Sequence, residues 1–183
     1  MMGFVVAKIL STRHEINLTQ GVKHMDVLLI GCGKMGGAML NRWLEQTGHK
    51  FTVVDPAAEQ LPAGAELLRH ESDLDQRQFD MVIVAIKPQM VDDVLPAYEK
   101  HVAPGGCVVS IAAGCSMKRI SALMGDAPTI RVMPNLPALI GLGATGLYAS
   151  TDCSASHKAQ VTELINIVGE SFWVESEDDL DRL

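Results

Sequence analysis

The sequence predicts an α/β fold in which a doubly wound, mostly parallel sheet is flanked by helices. Three observations predict it. Short continuous apolar runs at 27–30, 81–86 and 108–113 alternate with longer amphipathic stretches, the pattern of strands buried on both faces and joined by crossover helices. A Gly-x-Gly-x-x-Gly run stands directly after the first of these strands. Proline-bearing breaks at Asp55-Pro56, Lys87-Pro88 and Pro134 close strands abruptly.

The elements follow in order. Residues 27–30 are the first strand, and after the glycines a helix is predicted over 34–46, with Met35, Ala38, Met39, Arg42 and Trp43 near helical spacing and Gly48 to end it. Residues 51–54 form the second strand. The stretch 57–78 is weakly patterned, with a short strand at 66–68 and a helical turn after Ser72. Residues 81–86 are the clearest strand. A helix over 91–101, a turn at Pro104-Gly105-Gly106 and a strand over 107–111 come next. A helix at 117–124 leads to a strand at 129–133, then a strand at 145–149, a helix over 155–168 capped by Ser154 and a strand at 172–174. The acidic residues 175–183 read as the approach to a further helix.

Composition narrows the function classes. The chain has 183 residues, 48% hydrophobic and 20% charged, enough for one sizeable core and too few for two complete domains. Its 15 Lys and Arg against 22 Asp and Glu leave a net charge of -7, which argues against nucleic acid and an anionic membrane surface as partners. No apolar run approaches the roughly 18 residues of a membrane span. The cysteines at 32, 107, 115 and 153 form no Cys-x-x-Cys pair, so reduced thiols in a cytoplasmic protein without a metal site are expected. Residues 1–10 imitate a signal peptide, but Lys8 interrupts the apolar stretch, and residues 1–24 read as an extension outside the domain at 25–183.

Five constellations carry candidate chemistry. In Gly31-Cys32-Gly33-Lys34-Met35-Gly36, the first glycine allows a tight turn, the second lets a pyrophosphate approach the backbone, and the third lets helix and strand pack closely. Asp55, 24 positions after Gly31, stands where a carboxylate accepts from an adenosine ribose, which favours NAD over NADP; it is equally a turn former before Pro56. Arg69 or Arg77 are the alternatives for reaching a 2′-phosphate. Ala85-Ile86-Lys87-Pro88 and Ser110-Ile111-Ala112-Ala113-Gly114 occupy strand ends, where open α/β sheets bind ligands, although Lys87 reads as well as a solvated residue and the small residues as close packing. In Arg131-Val132-Met133-Pro134-Asn135-Leu136-Pro137-Ala138, Asn135 serves a ligand or braces the turn.

In this order and spacing the five pieces resemble pyrroline-5-carboxylate reductase over residues 26–183. The resemblance implies a Rossmann-like domain holding NADP or NAD, with cofactor contacts on Ile30, Gly31, Cys32, Gly33, Lys34, Met35 and Gly36, on Asp55, on Ala85, Ile86, Lys87 and Pro88, and on Ala112, Ala113 and Gly114. It also puts Ser72 near a ribose-contacting position and Asn135 near the cofactor. The implied reaction is hydride transfer to the C=N carbon of 1-pyrroline-5-carboxylate, giving L-proline, with homo-oligomers in the full-length family. The sequence departs from the family in lacking the Ser-Gly-Ser-Gly-Pro-Ala segment and the helical dimerisation domain, so it is expected to bind cofactor and turn over little. It also carries Asp55 where many members have a small or NADP-compatible residue, and Leu136 in place of a common Thr. Rival readings are another reductase with this domain, such as a ketopantoate or coenzyme F420-linked enzyme, and a non-catalytic nucleotide- or partner-binding module.

Overall fold

A computed structural model of the chain describes residues 24–135, 137 and 143–183. The expected extension therefore lies, His24 apart, outside the described residues, as do Leu136 and Ala138 of the proline-held loop.

The strands are β1 (Asp26–Ile30), β2 (Lys50–Val54), β3 (Ala65–Leu68), β4 (Phe79–Val84), β5 (Val102–Ser110), β6 (Thr129–Met133), β7 (Gly143–Ala149) and β8 (Gly169–Trp173). They form one sheet in the order β3-β2-β1-β4-β5-β6-β7-β8. Neighbours pair in parallel except β6 with β7, so β7 and β8 run against the other six. Helices α1 (Lys34–Gln46) and α4 (Ala155–Val168) pack on one face. The other face carries α2 (Val91–Val94), α3 (Met117–Leu123) and the 3₁₀ turns beside α2.

The two-sided burial follows from the strand sequences. Along β1, Val27 and Leu29 face α1 and α4, whereas Leu28 and Ile30 face the opposite layer, and all four are buried. Alternation by residue and apolar character throughout are what a sheet covered on both faces requires. Each fully buried side chain of this size contributes about 1.5–3 kcal/mol relative to exposure. Trp43 ties one face together: its ring stacks on Phe51 at 5.8 Å, and its Nε1 donates to the carbonyl of Leu164 in α4 at 2.8 Å.

Four expectations need correction. β4 ends at Val84 rather than residue 86; the Ala85 amide makes a last bond to the Ile30 carbonyl (2.8 Å), after which Ile86-Lys87-Pro88 turn away as a loop. The helix expected over 91–101 is helical only at Val91–Val94 and tightens to 3₁₀ over Leu95–His101, because Pro96 has no amide to donate. Pro104-Gly105-Gly106 lies within β5 rather than between elements, where the pairing shifts from Phe79–Val102 to Met81–Cys107 in a bulge. β8 begins directly after α4, three residues before the expected strand.

The acidic end of the chain does form a short helix, α5 (Glu177–Leu180), capped by Ser176. Arg131, buried in β6, anchors it through Glu177 (2.5 Å) and Asp181 (2.8 Å). Burial opposes the Arg131 charge, but these two carboxylates hold its basicity above the ordinary value.

Candidate functional site

Strand order places the site. The chain winds outward from β1 to β3 and then returns to β4 on the other side of β1, which makes the carboxyl ends of β1 and β4 the switch point of the sheet. A cleft of about 420 Å³ opens there.

The glycine loop forms its floor. Gly31 has φ +86°, and a Cβ on it would come within 2.9 Å of the Ala85 carbonyl oxygen, so two loops meet closely only because residue 31 is glycine. Its amide donates to the Val54 carbonyl at 2.9 Å, which joins β1 to β2 beneath the cleft. Gly36 sits against the Ala85 methyl, as close helix–strand packing demands. Gly33 differs from both. Its φ of -69° suits any residue, and a Cβ there would meet no described atom within 4 Å. Gly33 is also the N-cap of α1, with no side-chain cap and no acidic residue in the first turn. Among the described residues no side chain accepts from the amides of Lys34 and Met35 at the helix start.

Asp55 is heavily engaged. Its Oδ2 accepts from the Cys32 amide at 2.6 Å, and its Oδ1 from the amides of Ala57 (2.8 Å) and Ala58 (3.2 Å). The turn-forming reading is therefore realised, with an added brace on the glycine loop. Burial and then the Asp55 carboxylate push the Cys32 thiol up, which favours its neutral form, and the side chain packs against the core on the α1 face.

Ala85, Ile86 and Lys87 form the side of the cleft beyond Gly31, and Met90, Val94 and Tyr98 extend it as an apolar shelf. Burial, with Glu71 and Asp55 adding, pushes the Tyr98 phenol up to about 12, which keeps it neutral. Opposite stand Arg69, His70 and Glu71. Lys100 and His101 each lie 2.8 Å from Glu71 and hold its carboxyl below the ordinary range. A depressed carboxyl stabilises the fold above its unfolded-state pKa of 4.5 and loses that contribution as pH falls through the lower folded value. Glu71→Gln is thus expected to cost about 1 kcal/mol or less at pH 7, and the gap from the wild type should close below pH 4.5, read as thermal midpoints across pH.

Residues 26–114 match the protein family described as NADP oxidoreductase, coenzyme F420-dependent. A pyrroline-5-carboxylate reductase of Pseudomonas aeruginosa is 33% identical over 86% of this chain and 60% of that protein. The enzyme of the same name from Haemophilus influenzae is 31% identical over 87% of this chain and 61% of its own length. Both of these relatives carry the name pyrroline-5-carboxylate reductase. This bears out the resemblance carried by the glycine loop and the four downstream segments. The chain spans about 60% of the length of those relatives. A solved pyrroline-5-carboxylate reductase from Coxiella burnetii shares the fold at a TM-score of 0.78 and 23% identity, covering 85% of this chain and 61% of that one.

Not every residue suggested by the resemblance to pyrroline-5-carboxylate reductase lines the cleft. Ser72 is exposed in the 3₁₀ turn Glu71–Leu74, one residue beyond the wall formed by His70 and Glu71. Ala112, Ala113 and Gly114 follow β5 at the same edge of the sheet but outside the cleft wall, with Gly114 at φ +72°. Pro88 begins the 3₁₀ turn after the Lys87 loop. Asn135 accepts the Ala144 amide at 3.1 Å and so braces the link between β6 and β7. Sequence reasoning missed His70, Glu71 and Tyr98. Nothing local marks them, because the pairing of β3 beside β2 brings His70 and Glu71 to the cleft and the return of β4 beside β1 brings Tyr98. Among the described residues no group of three His, Cys, Asp or Glu side chains is placed to hold a metal, and no helix is long and apolar enough to cross a membrane.

Proposed function

We propose that this chain is the nicotinamide-dinucleotide-binding part of a pyrroline-5-carboxylate reductase. The observation that carries the reading is Gly33: no conformational demand and no neighbour in the described chain requires glycine there, but a pyrophosphate lying on the start of α1 does. In this reading the amides of Gly33, Lys34 and Met35 hold the pyrophosphate. Asp55 and Arg69 flank the adenosine ribose. Ala85 to Pro88, with Ala112 to Gly114, border the nicotinamide half at the ends of β4 and β5.

When bound, the reduced dinucleotide would supply a hydride to the C=N carbon of 1-pyrroline-5-carboxylate protonated on nitrogen, so that hydride and that proton together give L-proline and the oxidised dinucleotide. What the chain itself contributes is orientation: the rigid strand ends fix the cofactor against the sheet. A cytoplasmic location accords with four cysteines that are all free. Calorimetric titration with NADPH and NADH, with and without proline, tests the reading. Saturable binding of at least one cofactor is expected; failure of both to bind sinks it.

A further inference from the structure

The sequence left two ways to hold the adenosine ribose: Asp55 accepting from a 2′-hydroxyl, or an arginine pairing with a 2′-phosphate. The side chains around the end of β2 decide between them. Asp55 already accepts three backbone amides, from Cys32, Ala57 and Ala58. These occupy most of the acceptor sites of a carboxylate and spread its charge into the backbone. Its work is to lock the turn after β2 against the glycine loop.

Arg69 lies across the same turn. Its Nη1 donates to the carbonyl oxygens of Ala58 and, at 3.4 Å, of Asp55. Asp73 holds the backbone beneath it, accepting from the amides of Arg69 (3.2 Å) and His70 (2.9 Å). Among the described residues Arg69 pairs with no carboxylate, so an exposed cation on the cleft wall is met only by neutral carbonyls. Arg77 is spent elsewhere: it binds Glu66 and Thr52, each at 2.7 Å, and lies over the Phe79 ring. Glu71, the other carboxylate on this wall, is balanced by Lys100 and His101.

We propose that Arg69 determines cofactor specificity by pairing with the 2′-phosphate of NADPH, while Asp55 positions the loop rather than selecting NADH. The proposal rests on the dinucleotide reading of the cleft, since the 2′ position of the ribose falls beside the end of the second strand in such sites. A guanidinium that keeps free N–H groups there offers a phosphate paired, charge-assisted hydrogen bonds, which a ribose hydroxyl does not exploit.

The test titrates wild type, Arg69→Gln and Arg69→Lys with NADPH, NADH, 2′,5′-ADP and 5′-ADP. Wild type is expected to bind NADPH and 2′,5′-ADP about tenfold or more tightly than NADH and 5′-ADP. Arg69→Gln should erase that difference by weakening only the two 2′-phosphorylated ligands, and Arg69→Lys should fall between. An equal loss for all four ligands, or a wild-type preference for NADH, overturns the role of Arg69 and leaves the dinucleotide reading standing. Wild-type binding of none of the four overturns both. Thermal midpoints of the variants within a few degrees of wild type show that the fold is retained, which an exposed side chain predicts.

Discussion

Gly33→Val is expected to weaken dinucleotide binding at least about 100-fold while shifting the thermal midpoint by no more than about 4 °C. The two halves of that expectation come from one geometry. Valine suits φ -69° with an extended ψ, and its side chain would enter space that no described atom occupies. Loss of a glycine N-cap costs roughly 1 kcal/mol or less, because the cap here makes no side-chain bond. The same side chain would stand between the start of α1 and an approaching pyrophosphate, removing contact with several amides at once. Calorimetry with NADPH beside a thermal melt separates the two effects. Unchanged affinity would show that nothing docks on the helix start, and the proposed function would lose its main support.

Trp43→Ala is expected to cost about 3–5 kcal/mol, read as a lowered midpoint in urea with an unchanged slope. Trp43 is 1% exposed and joins three elements: α1, which carries it; β2, through the stack on Phe51; and α4, through the Leu164 carbonyl. Truncation removes a large buried ring and leaves a cavity that the sheet and two helices can close only in part. Trp43→Phe, which keeps much of the volume and drops the hydrogen bond, should cost clearly less. Equal costs for the two variants would mean that the hydrogen bond to α4, rather than ring volume, holds this face. The substitution also bears on the site, because α1 begins at the glycine loop and its seating sets where the helix start points.

Much of the fold is legible where a local pattern has one physical solution. Residues 27–30 and 81–84 are continuous apolar runs too short for helices and bounded by turn residues, so burial on both faces of a sheet is the way they leave water. The boundaries of α1 coincide with the predicted 34–46, set between the glycine loop before it and Gly48 just beyond its end. The region 91–101 was legible as helical but not in helix type; Pro96 was visible, yet whether a proline ends a helix or tightens it depends on what packs beneath. The bulge in β5 was hidden for a similar reason, since Pro104-Gly105-Gly106 carries the same signal whether the chain turns or only shifts register against β4.

The site divides along the same line. Gly31, Gly33, Gly36 and the strand ends at Asp55 and Ala85 are readable in the sequence because their chemistry is local: a backbone conformation, a close approach, an end of a strand. Ala57 and Ala58 are local partners of Asp55, but the neighbour that ties it to the glycine loop is not. Cys32 approaches it only because β1 and β2 pair in parallel, and Arg69 reaches that turn only because β3 pairs beside β2. By itself the sequence determined a doubly wound sheet with a Gly-x-Gly-x-x-Gly loop after its first strand, since periodicity and glycine spacing are properties of consecutive residues. Only the tertiary structure decided that Asp55 is bound to the loop, that Arg77 is tied to Glu66 and that Arg69 faces the cleft. Hydrogen bonds and ion pairs between segments are set by strand order and register, which no short stretch of sequence encodes.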